Sequence, residues 1–167
     1  PQIAQAMSVE LGWSKAELYG AATLGLALGG LAAYPVGAAI DRGHGRAIMA
    51  GGSLLAGLLL LLWAQADSMA LFYLAVGGIG CMQAATLYDP AFAVIARRAG
   101  PLNARPGITA LTLWGGFAST LVIPLIQLLL DNVGWRDTLL VLGAVNIVIC
   151  GTANFLSVDP SLDAAPP

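Results

Sequence analysis

Asp89 is the residue with the most chemistry to offer. It stands in the run Gln83-Ala-Ala-Thr-Leu-Tyr88-Asp89-Pro90, where every neighbour is uncharged. A carboxylate withdrawn from water must be protonated, paired with a cation, or wetted by a cavity. Such a group can take up and release a proton as its surroundings change. Pro90 lacks an N–H and so frees one helical carbonyl for a ligand or ion. Gln83 and Tyr88 add hydrogen-bonding groups nearby, although Gln83 lies six residues back and off the Asp89 face. These three residues form the candidate coupling or substrate site. Other chemistries find no support. The chain has one histidine, His44, and two cysteines, Cys81 and Cys150, both within apolar runs. That leaves no metal-ligand set, and the cysteines read as small hydrophobes. No G-x-S-x-G, H-E-x-x-H or carboxylate pair is present, so catalytic residues are not expected.

The elements that carry Asp89 follow from composition. Of 167 residues, 58% are hydrophobic and only 10% charged, against about 25% charged in soluble domains. Such a chain cannot clothe a globular surface in water, so lipid must cover most of it. A net charge of −2 also gives no footprint for nucleic acid. Five apolar blocks stand out: 18–40, 47–63, 70–96, 108–130 and 138–156. A helix needs about 20 residues to cross a hydrocarbon core of about 30 Å, and all five blocks are long enough. Helices are expected because backbone left open in lipid strands its amides. The predicted fold is all-α, a polytopic membrane bundle of about five helices over residues 1–157. Residues 158–167 read as the start of a cytoplasmic linker.

Charge placement tests that division. Among all Lys, Arg, Asp and Glu residues, Asp89 alone falls inside a block. Arg42 and Arg46 lie between the first two blocks, and Arg97, Arg98 and Arg105 between the third and fourth. The positive-inside rule puts these arginines in the cytoplasm, the amino end of the chain outside and the carboxyl end inside. Trp13, Trp63 and Trp135 then lie at outer block ends, where indoles are expected at headgroup level. The first block carries small residues every fourth position: Ala21, Gly25, Gly29, Ala33 and Gly37. That stripe predicts close packing against a neighbour along the whole helix. The second block, with Leu54, Leu55 and Leu58–Leu62 on all sides, is expected to face lipid. The third and fourth carry small and polar residues suited to protein or a water-filled cavity, with a kink at Pro124.

The first connection reads Gly37-Ala-Ala-Ile-Asp41-Arg42-Gly43-His44-Gly45-Arg46-Ala47. It resembles the loop of the major facilitator superfamily, a glycine followed by D-R-x-G-R-[RK], which joins that family's second and third helices on the cytoplasmic side. Here the second glycine arrives one place late, at Gly45, and Ala47 replaces the second basic residue. Gly134-Trp135-Arg136 is similar to the G-W-R that opens the family's sixth helix at the outer surface. Gly12-Trp13-Ser14 resembles the segment before helix two. Tyr88-Asp89-Pro90-Ala91-Phe92 followed by Arg97-Arg98 is similar to the fourth helix of bacterial members related to monocarboxylate transporters. On this alignment the blocks are helices two to six of an amino-terminal half, and helix one lies upstream of Pro1.

The resemblance implies alternating-access transport of a small solute, in the manner of a proton-coupled organic anion carrier of the bacterial inner membrane. It implies no bound cofactor. The expected partners are the lipid bilayer, a small-molecule substrate, helix one and the carboxyl-terminal half of the same transporter. Gly37, Asp41, Arg42, Gly45 and Arg46 are expected to gate the inner side, with Asp41 pairing with Arg42 or Arg46 or capping a helix. A non-transporting membrane scaffold or assembly protein is the alternative.

Overall fold

A computed structural model describes residues 2–100, 103–159 and 161, and these contain helices and turns with no strand. Helix α1 (Gln2–Leu11) precedes α2 (Lys15–Ala39), which leads through a π-helical turn at Ile40–His44 into α3 (Gly45–Ala64). Next come α4 (Met69–Thr86), α5 (Tyr88–Ala99) and α6 (Ala104–Val145). A second π-helical segment, Asn146–Gly151, links α6 to α7 (Thr152–Ser157). The tail assigned to a linker lies mostly outside the described residues, as does Pro101 between the third and fourth blocks.

Three helical stretches are long and apolar enough to cross a membrane: Lys15–Ala64, Met69–Ala99 and Ala104–Ser157. The first has 50 residues and the third 54, and each would extend for more than twice a hydrocarbon core if straight. Both double back at a glycine with positive φ. Gly43 (φ 87°) turns the chain between α2 and α3, and Gly134 (φ 79°) breaks α6 into arms 104–133 and 135–145. A side chain at either glycine would be strained in this left-handed region. Ser14 starts α2 with a capping box: its hydroxyl accepts from the Glu17 N–H (3.2 Å), and Glu17 Oε2 accepts from the Ser14 N–H (2.8 Å).

The folded chain corrects three readings of the sequence. The stripe on α2 is in close contact over part of its length only. Val76 O would lie 3.0 Å from a Cβ at Gly25 and Gly80 O 2.6 Å from one at Gly29, whereas Gly37 faces nothing within 4 Å. Ala33 is exposed. Helices α2 and α4 thus meet backbone to backbone near mid-length and part towards the loop. Second, α3 is no lipid-facing helix. Its Met49, Gly52, Ser53, Ala56 and Gly57 are buried, and only the Leu54, Leu55 and Leu58 side is open. Small residues every three or four positions, overlooked among the leucines, let α4 approach on one side and the 135–157 region on the other.

The three tryptophans at the block ends pack on the protein. Trp13 and Trp63 flank Phe72, with ring centroids 5.4 and 5.8 Å away, and Trp135 is only 3% exposed. Trp63 Nε1 donates to Met7 Sδ (3.2 Å), so its N–H is satisfied within the protein. Third, the block at 70–96 is broken. Leu87 is extended (φ −87°, ψ −155°) and separates α4 from α5.

Candidate functional site

The break at Leu87 sets the surroundings of Asp89. The Leu87 N–H still donates to Gln83 O (3.0 Å), which closes α4, and α5 then restarts with Tyr88, Asp89 and Pro90 in its first turn. Proline suits that position because first-turn N–H groups have no helical partner. Asp89 therefore sits at a helix amino terminus, where a negative charge is favoured by about 0.3–1 kcal/mol. It is exposed within the chain, as is Tyr88, while Gln83 is half-buried. Tyr88 stacks on Phe92 (5.6 Å, 26°) and its phenol lies against Gly115 of the 104–133 arm. That arm is open over most of its length, with Leu113, Trp114, Phe117 and Leu121 exposed.

The loop residues meet at the same end as the last turn of α5. Arg97 Nη1 donates to the Asp41 carbonyl. Arg46 does not turn to Asp41; its Nε donates to Phe155 O (2.7 Å) and its guanidinium lies 4.4 Å from the Phe155 ring. Arg42 and His44 are exposed. The displaced motif glycine has a different task from the one expected of a turn residue. Gly43 takes the positive φ, whereas Gly45 is helical (φ −52°) and buried. Arg98 Nη2 donates to Asp159 O (3.3 Å). The Ser161 N–H and hydroxyl hold the Asp159 carboxyl below its ordinary range, and the charges of Arg46 and Arg98 add to this.

Gly134, Trp135 and Arg136 organise the opposite end. Once Gly134 has turned the chain, Trp135 Nε1 donates to Glu10 Oε2 (2.8 Å). Arg136 pairs with Glu10 (3.3 Å) and Asp67 (2.7 Å), and donates to Ala64 O (3.0 Å). Its guanidinium lies 4.4 Å from the Trp135 ring. Glu10 and Asp67 were overlooked as functional partners, although the expected topology already put both on the side of Arg136. A cleft of about 520 Å³ opens here, lined by Gln2, Gln5, Glu10, Gln127 and Asp131 among others. It is distant from Asp89, so the structure does not gather the candidate site and this cleft into one place.

The model of the Major Facilitator Superfamily matches residues 1–167. The chain belongs to that superfamily. Human Monocarboxylate transporter 11 is 35% identical over 140 residues, 81% of this chain and 29% of the relative. Rat Monocarboxylate transporter 13 is 33% identical over 121 residues, 70% of this chain and 28% of the relative. Rat Monocarboxylate transporter 12 is 33% identical over 106 residues, 62% and 21% of the respective chains. The chain thus spans less than a third of the length of these relatives. No solved structure matches it significantly. As a superfamily member with helices of this length and apolarity, it is a multi-pass membrane segment.

Proposed function

We propose that this chain forms part of a secondary transporter moving a small solute by alternating access. The solute class is a small organic anion of the monocarboxylate kind, carried with a proton. Superfamily membership and the names of the relatives support that class. The observation that carries the coupling role is Asp89 at the restart of a broken helix, the single charged residue within an apolar block. Discontinuous helices at membrane depth are used to bind ions and charged solutes. Asp89 would exchange the proton, with Tyr88 and Gln83 contributing hydrogen bonds. The five apolar blocks offer no Lys or Arg to meet a carboxylate, so in this reading helix one or the carboxyl-terminal half supplies that cation. The chain is not an enzyme in this reading.

The same reading has five crossings, with the arginine end in the cytoplasm and Gln2 outside. Through the Tyr88–Phe92 resemblance, it places the chain in a bacterial inner membrane. Uptake of labelled monocarboxylates at graded pH tests the coupling. Wild-type uptake should rise in acid, and Asp89→Asn should be slower and flat. An Asp89→Asn rate and pH profile equal to wild type would remove Asp89 from coupling. For orientation, impermeant maleimide applied to intact cells should modify Asp67→Cys and spare His44→Cys. The reverse pattern would invert the threading.

A further inference from the structure

Three of the arginines at the loop end share a habit: each aims at a main-chain carbonyl of another segment. Arg97 reaches Asp41 in the turn, Arg46 reaches Phe155 in α7, and Arg98 reaches Asp159 just beyond α7. Phe155 is among the last residues of α7, whose carbonyls have no partner within the helix. Arg46 is therefore a cap for α7 supplied by α3, placed where a cation suits the helix end.

The chain beyond α7 does not leave the bundle at once. Val158 is 8% exposed and clusters with Ile40, Met49 and Val94. Gly45 makes the room for this. A Cβ there would stand 3.0 Å from Val94 Cγ2 and 3.7 Å from Val158 Cγ1. The space left among Ile40, Gly43, Gly45, Val94, Arg97 and Val158 is only about 10 Å³, at the lower limit for one water. After Val158, Asp159 Oδ1 accepts from the Ser161 N–H (3.0 Å) and hydroxyl (2.9 Å). The hold is incomplete in one respect: Arg98 Nε is buried without a hydrogen-bond partner among the described residues.

We propose that Val158, Asp159 and Ser161 form a latch: Val158 plugs the cup over Gly45, and Arg98 and Arg46 hold it there. While the plug is seated, the reversal at Gly43, the end of α5 and the chain beyond α7 move as one body. When it leaves, the loop end is free to open. This latch does not depend on which solute is carried.

The test is thiol accessibility in the full protein in its membrane, in a Cys81→Ala, Cys150→Ala background. Val158→Cys should react with a small water-soluble maleimide roughly tenfold more slowly than the exposed neighbour Ser157→Cys, as for a site reached by local opening. Adding Arg98→Ala or Gly45→Val should bring its rate close to that of Ser157→Cys. Arg98→Lys should restore part of the protection, and Arg42→Ala should leave it intact. Tryptophan-fluorescence melts of each variant show that the far end remains folded. Equal labelling of Val158→Cys and Ser157→Cys in the parent would overturn the latch. So would protection that survives both Arg98→Ala and Gly45→Val. If the double variants melt, fast amide exchange at Val158 in the unsubstituted protein would overturn it, and slow exchange would support it.

Discussion

The two ends of the bundle are closed by different chemistry. At the tryptophan end, one guanidinium bridges two carboxylates above a buried cluster of Met7, Leu18, Phe72, Trp135 and Leu139. At the arginine end, three guanidiniums each take a backbone carbonyl over a smaller aliphatic cluster of Ile40, Met49, Val94 and Val158. The first arrangement concentrates the closure in a few side chains, so removing one strands several partners. The second spreads it over segments, each contact being replaceable by water at modest cost. The contrast marks the arginine end as the easier to part.

The largest effect should come from removing the centre of the stronger end. Trp135→Ala is expected to cost about 3–5 kcal/mol, as for large-to-small changes in a core. Unfolding in detergent, followed by heat or SDS, measures it. A loss as small as that of a surface change would deny that the cluster is a core. Arg136→Ala comes next, at about 1–3 kcal/mol, since it leaves Glu10 and Trp135 without their shared neighbour. Arg136→Lys should recover only part, because one ammonium lacks the fork that reaches Glu10, Asp67 and Ala64 together. At the other end, Arg46→Ala should cost about 0.5–1.5 kcal/mol. A loss matching Arg136→Ala would erase the contrast.

The smallest effect is a pH dependence. Ser161 hydrogen bonds hold the Asp159 carboxyl below its ordinary value of 3.8, helped by the charges of Arg46 and Arg98. Its stabilisation is therefore fully present above about that pH and lost as pH falls through the lower folded value. Acid melts of Asp159→Asn beside the unsubstituted protein measure it. The variant should not alter the pH dependence near neutrality.

Much of the architecture was legible because lipid imposes a coarse grammar. Runs of about 20 apolar residues, arginines gathered on alternate connections and glycines at the turns are one-dimensional signals. What escaped is three-dimensional. The break at Leu87 had a signal in Pro90, but proline reads equally as a kink within a helix or as the first turn of a new one. The buried side of α3 was hidden because its leucines outweigh Gly52, Ala56 and Gly57 in any average, although it is the small residues that admit neighbours. No pattern in the sequence announced α1. Nor could spacing reveal that Arg46 caps a helix more than 100 residues away, or that Asn154 Nδ2 would meet Ser53 Oγ at 2.9 Å within the bundle.

The glycine contact between α2 and α4 has a consequence for assembly. Helices adjacent in the chain, α2 and α3, scarcely touch; α2 packs on α4, and α3 packs on both α4 and the 135–157 region. During synthesis the Gly25–Gly29 ridge must wait in lipid until some fifty further residues have emerged. Gly57 must wait longer still for its partner at Gly143. Each early helix therefore enters the bilayer before the partner it packs against.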